Sequence, residues 1–161
     1  MKTSQGGANS LEVRLAKQIS VLEAHGYVLT RSEQGGMSYF LRLYRGSVID
    51  VAIWGERGDE FVDVWARPDD AQVEDVDVRT LCELITAKVE DRRWSLEHQA
   101  NWLCTNIEAV ESLFQEPSLK ETLRRVRMSE NARFKRRFGP ITRQPCLVSA
   151  VRDVRLGGDR G

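Results

Sequence analysis

The sequence predicts an α+β fold in which a four-stranded antiparallel meander is flanked by one helix before it and three helices after it. Three observations predict this fold. Apolar residues recur at helical spacing up to residue 25, they alternate between residues 27 and 66, and helical spacing returns after Pro68. Strands that follow one another through short turns pair antiparallel, and strands grouped apart from helices along a chain are typical of α+β domains. We expect the helices to pack on one face of the sheet.

The first helix is predicted over residues 11–25. Its apolar residues recur at spacings of three and four, which places them on one face: Leu11, Leu15, Ile19 and Leu22. Ser10 is a candidate N-cap, and Gly26 stands where a helix commonly stops. The polar, glycine-containing residues 1–9 are expected to form a disordered N-terminus before a single domain over residues 10–140.

Alternating segments separated by glycine-containing turns predict four strands: residues 27–33, 37–44, 47–54 and 60–66. Asp77 is then a candidate cap for the first of the helices that follow. Those helices are predicted at three places: residues 78–90, residues 96–114 and a last segment ending near Phe138. Residues 141–161 are expected to form a partly ordered tail.

The predicted sheet has two different faces, because side chains alternate along a strand. A two-residue turn at Arg45-Gly46 sets Leu41 opposite Asp50, and the next hairpin sets Trp54 opposite Phe61. One face is aliphatic and is the expected core: Phe40, Tyr44, Ile49, Val51, Ile53, Val62, Val64 and Ala66. The other face mixes aromatic side chains with two carboxylates: Tyr39, Leu41, Asp50, Ala52, Trp54, Phe61, Asp63 and Trp65.

The net charge of zero conceals two oppositely charged segments. Residues 56–77 hold nine acidic and two basic residues, whereas residues 120–137 hold eight basic and two acidic residues. Such segments steer charged partners. The acidic segment and the aromatic face together suggest a surface that binds another protein, with these contact residues: Asp50, Trp54, Asp59, Glu60, Phe61, Asp63 and Trp65. The alternative is that this face is covered, with its carboxylates satisfied by arginine side chains.

The basic segment is a second candidate surface. Its residues are dense enough for a helix that binds nucleic-acid phosphates: Arg124, Arg125, Arg127, Arg133, Lys135, Arg136 and Arg137. Phe134 and Phe138 interleave with them, but their spacing of four is typical of a core. The alternative is a solvated helix face that pairs with the acidic segment of its own chain. A third candidate is a small-ligand site between the sheet and the helices.

Residue types that carry catalysis or bind metals show no recognisable pattern. His25 and His98 fall on different predicted helices, so we expect no metal, no cofactor and no enzymatic activity. The three cysteines, Cys82, Cys104 and Cys146, are an odd number without a close pair, which favours free thiols over disulfides. No apolar run approaches the roughly 20 residues of a membrane helix, and the start lacks a secretory signal. We expect a cytoplasmic protein without a membrane partner.

The layout of residues 11–138 resembles that of the small α+β immunity proteins that bacteria pair with polymorphic toxins. The resemblance lies in an amphipathic helix ending in His25-Gly26-Tyr27, the meander, and the run from Val62 to Asp70 that leads into helices. It implies a protein that binds a toxin domain stoichiometrically and blocks it. Because toxin nucleases are often basic, an acidic aromatic surface would suit that role. No functional residue carries over from the family.

Overall fold

The computed structural model describes residues 8–66, 74–89 and 92–139. The described part contains five helices: α1 (Ala8–Ala24), α2 (Val78–Thr86), α3 (Leu96–Thr105), α4 (Ile107–Leu113) and α5 (Leu119–Phe138). It also contains five strands: β1 (Val28–Gln34), β2 (Phe40–Arg45), β3 (Ile49–Glu56), β4 (Asp59–Ala66) and β5 (Glu74–Asp77). The α+β prediction is therefore confirmed, while the predicted counts of four strands and four helices are each one too low.

The strands form one antiparallel sheet in the order β1-β2-β3-β4-β5. The unpredicted fifth strand, Glu74–Asp77, contains three acidic residues around Val76 and so lacks the apolar alternation that indicates a strand. Its backbone pairs with β4, and Val76 lies opposite Val64 and is fully buried. One buried valine and the backbone pairing are enough to define this strand.

The helices differ from the prediction at their ends. The predicted helix over residues 96–114 is divided at Asn106, whose backbone N–H donates to the carbonyls of Trp102 and Leu103. α2 stops at Thr86 because Ala87 takes a left-handed conformation (φ 56°), but Asp77 caps it as predicted, accepting from Arg79 N at 2.6 Å.

The predicted N-terminal boundary of the domain differs from the observed one, and the predicted C-terminal tail lies outside the described residues. Ala8 and Asn9, which we expected to be disordered, belong to α1, so Ser10 lies inside the helix instead of capping it. The other residues of the predicted N-terminal segment, and the predicted tail over residues 141–161, lie outside the described residues. Among the described helices, none is long and apolar enough to cross a membrane.

The β2–β3 hairpin has a longer loop than the predicted two-residue turn. Arg45 pairs with Asp50, and Gly46 N–H donates to Ile49 O at 3.0 Å within the loop. Leu41 therefore lies opposite Trp54, not opposite Asp50. The register differs from the prediction by four residues, an even number, so each side chain still points to its predicted face. The pairing predicted for the β3–β4 hairpin is confirmed.

The aliphatic face of the sheet forms the main core, as predicted. Its central residues are at most 2% exposed: Ile49, Val51, Ile53, Val62 and Val64. All five helices add buried side chains to the same core, among them Leu15, Leu81, Leu103, Ile107 and Val126. The helices therefore cover this face, and the opposite face, here called the outer face, contains a separate apolar cluster.

The β4 edge beyond the end of β5 is paired by a side chain. β5 reaches only as far as Asp63, which leaves Val62 N–H and Glu60 C=O without a strand partner. The buried Gln99 of α3 provides a hydrogen-bond partner for both of these backbone groups. Its Oε1 accepts from Val62 N at 2.9 Å, and its Nε2 donates to Glu60 O at 3.1 Å. This amide takes the place of the missing part of β5 and ties α3 to the sheet.

Candidate binding groove on the outer face

The outer face carries a concave site, here called the outer groove. Leu41, Leu43 and Ala52 form a buried apolar floor beneath it, of which Leu41 lines the cavity, and three partly buried aromatic side chains pack against that floor. The cavity has a volume of about 480 Å³, within the range of ligand pockets. The residues that line it come from five strands or their ends: Arg31, Tyr39, Leu41, Trp54, Asp63, Trp65 and Asp75.

Strand register separates the two tryptophans of the groove along the sheet. Ala52 of β3 pairs with Asp63 of β4, and Trp54 and Trp65 lie two residues away in opposite directions along the strands. At about 3.4 Å per residue, the indoles are offset by roughly 14 Å along the sheet. Ala52, which lies between them, is fully buried, so the cavity is lined by the two indoles and their polar neighbours and not by the alanine.

Trp54 is held in place from two sides. Its indole stacks on Phe61, with ring centroids 4.5 Å apart and an interplanar angle of 27°. Its Nε1–H donates to Asp63 Oδ2 at 2.6 Å. The stack and the hydrogen bond together fix the ring, so this wall of the groove is formed before any partner arrives.

Asp63 is an acidic group kept in a buried position. It is 7% exposed, and within the described part of the chain its hydrogen bond comes from Trp54 alone; the other oxygen, Oδ1, is not among the fully buried atoms without a partner and so remains accessible from the groove. The pKa of Asp63 is raised to about 6, chiefly by burial and to a smaller extent by the charges of Asp77 and Asp75, while the hydrogen bond from Trp54 and the charge of Arg79 lower it. At neutral pH the carboxylate is mostly ionised in a place where ionisation is unfavourable.

The β1 side of the groove is formed by a small network. Arg31 donates to Glu33 Oε1, and Tyr39 Oη donates to Glu33 Oε2 at 3.1 Å. The charge of Arg31 is thus matched by its neighbour. On the opposite side, no basic residue stands beside Asp63 and Asp75 among the described lining residues, and the described part of that end of the groove is negative.

The predicted contact residues are only partly brought together. Trp54, Asp63 and Trp65 line the outer groove, and Phe61 supports it from behind Trp54. Asp50 lies on the outer face but is 3% exposed, so its carboxylate is buried and not presented to a partner.

Two other predicted residues lie away from the groove. Glu60 pairs with Gly55 in the ladder and points to the helix side, where it accepts from Arg14 at 2.8 and 2.9 Å. Asp59 forms an ion pair with Arg93 in the segment before α3. Asp59 and Glu60 therefore already have cationic partners within the chain.

Sequence reasoning missed Arg31 and Asp75 and did not count Tyr39 and Leu41 among the site residues, although it placed both on the correct face. Asp75 was missed because strand β5 was not predicted, and Asp75 lies opposite Trp65 only because β5 pairs with β4. Arg31 lies opposite Leu43 in the β1–β2 ladder, a register that a β-bulge between Leu29 and Arg31 displaces. A predicted pairing of β1 with β2 would have placed Arg31 on the outer face, but the β-bulge that sets this pairing has no signal in the sequence.

Four of the eight basic residues of the basic segment form an ion pair or a hydrogen bond with another residue of the chain. Arg124 pairs with Glu121, Arg127 with Glu74 and Arg133 with Glu83, and Arg125 donates to Leu84 O at 3.2 Å. Of these acidic partners, Glu74 alone belongs to the acidic segment. The exposed Lys135, Arg136 and Arg137 stand at the end of α5.

The two phenylalanines of α5 are not core residues, contrary to what their spacing indicates. Phe134 is 47% exposed and Phe138 is 63% exposed. Their ring centroids lie 4.7 Å apart, and the Arg137 guanidinium lies 5.3 Å from the centre of the Phe138 ring. The end of the helix therefore presents stacked rings and positive charge together.

A second cavity, of about 400 Å³, lies beside the β4 edge between the sheet and the helices. Its lining is polar and includes Asp59, Glu60, Arg79 and Gln99. The charged groups among these are paired with Arg93, Arg14 and Asp77. In the described part of the chain, no three His, Cys, Asp or Glu side chains are grouped so that they could hold a metal ion.

The chain was compared with models of known protein families, with curated proteins and with solved structures, and none of them matches it. Its function must therefore be inferred from the geometry and charge of its own side chains. The outer groove is the site with the most specific chemistry, since it combines preformed aromatic walls with a largely buried carboxylate whose second oxygen is accessible from the groove.

Proposed function

We propose that this chain is a non-enzymatic protein-binding domain that recognises a basic partner through the outer groove. We propose further that it acts as an immunity-type inhibitor, which neutralises a cognate toxin by covering it. The observation that carries the proposal is a sheet face turned away from the helices, on which aromatic walls surround the buried carboxylate of Asp63.

The aromatic walls favour binding energetically. Tryptophan and tyrosine are enriched among the residues that dominate interface energies, because they bury a large area while losing few rotamers. Trp54 and Trp65 stand on a floor that is already buried, and Trp54 is already fixed by Phe61 and Asp63. A partner would therefore bind without a large cost of ordering the groove.

The charges of the groove favour a basic partner. Asp63 and Asp75 line it, and the basic Arg31 in its described lining is neutralised by Glu33, just as Asp77, opposite Asp63, is paired with Arg79. Opposite charge on the partner would speed encounter, and salt would weaken this effect. A nuclease is a suitable target, because surfaces that bind nucleic-acid phosphates are basic and an acidic aromatic face competes for them.

The test uses a purified partner identified by pull-down, with dissociation constants measured by calorimetry at two salt concentrations. Trp65→Ala should raise the dissociation constant about tenfold or more through faster release. Asp75→Lys should raise it through slower association and should flatten the salt dependence. Glu23→Lys, on the exposed end of α1, is the matched charge reversal and should leave affinity unchanged.

Inhibition is tested separately from binding. Co-expression of the wild-type chain should relieve the toxicity of the partner, and co-expression of the Trp65→Ala chain should not. If both groove variants bind like the wild type while retaining its circular dichroism spectrum, the groove is not the interface. If the groove variants lose binding but the partner is harmless alone, protein binding stands and the immunity role is wrong.

The end of α5 supports a second candidate function, binding of single-stranded nucleic acid. Exposed Phe134 and Phe138 could stack on bases beside Arg136 and Arg137, a combination used by proteins that bind single strands. Anisotropy of a labelled RNA oligonucleotide should then show binding that weakens steeply between about 50 and 200 mM salt and is lost in Arg136→Glu/Arg137→Glu. Salt-independent or absent binding would exclude this function for the helix end.

A further inference from the structure

We infer that the outer groove is a receptor for one arginine side chain of the partner protein, with the guanidinium placed against an indole ring and bonded to Asp63 and Asp75. This inference rests on the proposed function and names the chemistry recognised at the same site. It follows from how the two indoles and the two carboxylates are paired across the strands.

Each indole of the groove has a carboxylate as its neighbour. Trp54 is bonded to Asp63 at 2.6 Å, and Trp65 lies opposite Asp75 in the β4–β5 ladder. Side chains directly opposite each other across two strands have Cβ atoms about 4.5–5.5 Å apart. A planar cation lying on either ring is thus within reach of a carboxylate at its edge. Arginine provides both features, since its guanidinium stacks on aromatic faces and presents five N–H donors in one plane.

Asp63 offers an oxygen that can accept a hydrogen bond from such a donor. Its carboxylate is more than nine-tenths buried, and Oδ1 accepts no hydrogen bond from the described residues. Oδ1 itself is not among the fully buried side-chain atoms that lack a partner, so a donor in the groove can reach it, and such a donor would offset part of the cost of keeping this charge largely buried. A guanidinium N–H would complete the hydrogen bonding of Oδ1 while its positive charge offsets the repulsion from Asp77.

Arg31 decides at which end of the groove the cation binds. It lies in the lining on the β1 side and pairs with Glu33, so the Glu33 carboxylate is already matched and does not attract a second cation to that side. The incoming guanidinium is therefore directed to the β4–β5 end, where Asp63 and Asp75 lie. Removing the charge with Arg31→Gln should strengthen cation binding a few-fold, although this residue makes no hydrogen bond to the ligand in the proposed arrangement.

Binding should depend on pH through the groups around Asp63. Trp54 faces it from β3, Asp75 and Asp77 face it from β5, and Arg79 faces it from α2. Burial raises the pKa of Asp63 to about 6, so its ionised fraction rises about tenfold between pH 5 and pH 7.5. A cation that requires the ionised form should bind about tenfold more tightly at the higher pH.

The experiment uses the full chain without any partner and the probe Nα-acetyl-arginine amide, followed by the indole N–H signals in NMR. Saturable shifts are expected at Trp54 and Trp65, whereas Trp94 and Trp102, which pack on the main core, should not move. Asp63→Asn keeps an acceptor for Trp54 and should weaken probe binding about tenfold. Asp59→Asn, whose parent side chain pairs with Arg93 outside the groove, is the matched control and should have no effect.

Three outcomes would overturn the inference. Nα-acetyl-citrulline amide has the same shape without the charge, and equal binding of this probe would exclude cation recognition. Tighter binding of Nα-acetyl-lysine amide or tetramethylammonium would exclude a guanidinium site. If the groove variants lose partner binding but the wild-type chain binds no probe, the proposed function stands and the arginine receptor is refuted. If the wild-type chain binds the probe but the groove variants bind the partner normally, the arginine site stands and the proposed function of the groove is refuted.

Discussion

Asp63 accepts the indole N–H of Trp54 across β3 and β4, at 2.6 Å, so one hydrogen bond joins a wall of the outer groove to its buried charge. This pair links fold stability to recognition. The bond orients the ring, and it also favours the ionised form of a carboxylate that burial would otherwise keep protonated. The first two predictions test these two effects separately.

Replacing Asp63 with asparagine should stabilise the protein at neutral pH. The folded-state pKa of Asp63, about 6, lies above the ordinary value of 3.8, so the folded state holds the proton more tightly and wild-type stability falls as pH rises from about 4 to about 6. Asparagine removes this loss and can still accept from Trp54. Urea unfolding at pH 7.5 should show a gain of about 1–3 kcal/mol that disappears at pH 4. A less stable variant at pH 7.5 would contradict the prediction.

Replacing Trp54 with phenylalanine should raise the pKa of Asp63 above about 6. The ring is retained, but the N–H that stabilises the ionised carboxylate is lost. The titration of the Asp63 carboxyl carbon, followed by NMR, measures the change. Trp65→Phe is the matched control: Trp65 does not donate to Asp63 in the described structure, so the Asp63 pKa should stay near its wild-type value. An unchanged pKa in Trp54→Phe would refute the role of the bond.

Replacing Gln99 with leucine should destabilise the fold by about 1–3 kcal/mol. Both the N–H of Val62 and the C=O of Glu60 would lose their partner at the β4 edge. Denaturant unfolding gives the energy, and hydrogen exchange should show loss of protection at the Val62 amide. Asn101→Leu, at an exposed position of the same helix, should leave both measurements close to those of the wild type. Retained protection of Val62 in Gln99→Leu would show that another group pairs it.

Replacing Gly46 with alanine should also destabilise the fold, by about 1–3 kcal/mol. A Cβ at residue 46 would lie 2.5 Å from the Tyr27 ring and 2.7 Å from Ile49 O, so the hairpin and the ring would have to separate. Gly36→Ala meets nothing within 4 Å and should change stability by less than about 0.5 kcal/mol. Thermal unfolding of the two variants compares them directly, and equal melting temperatures would rule out the close contact with Tyr27.

The two faces of the sheet could be predicted from the sequence because alternation survives a shift of register by an even number of residues. The two-residue turn predicted at Arg45-Gly46 placed Leu41 opposite Asp50 instead of Trp54, yet both Leu41 and Trp54 were assigned to the correct side. The β3–β4 pairing was predicted by assuming that Trp54 faces Phe61, and the structure confirms this register. The three site residues on these strands, Trp54, Asp63 and Trp65, were therefore found.

The rest of the site depends on pairings that have no local signal. β5 is an acidic strand, and it is held by its backbone and by Val76, so neither hydrophobicity nor strand propensity indicates it or Asp75. Glu60 was grouped with the site because it lies in the acidic segment, but alternation directs it to Arg14 on the helix side. Charge density along the chain indicated a region, whereas the pleat of the strand decided which acids share a surface.

The Gln99 amide has a further consequence for how the protein behaves at high concentration. An exposed strand edge has unpaired backbone N–H and C=O groups that can pair with a strand of another molecule, which favours domain swapping and fibril growth. Here Gln99 occupies Val62 N–H and Glu60 C=O beyond the end of β5, so this stretch of β4 offers no such template. The chain can thus keep a broad aromatic face available for a partner while the neighbouring edge resists self-association through strand addition.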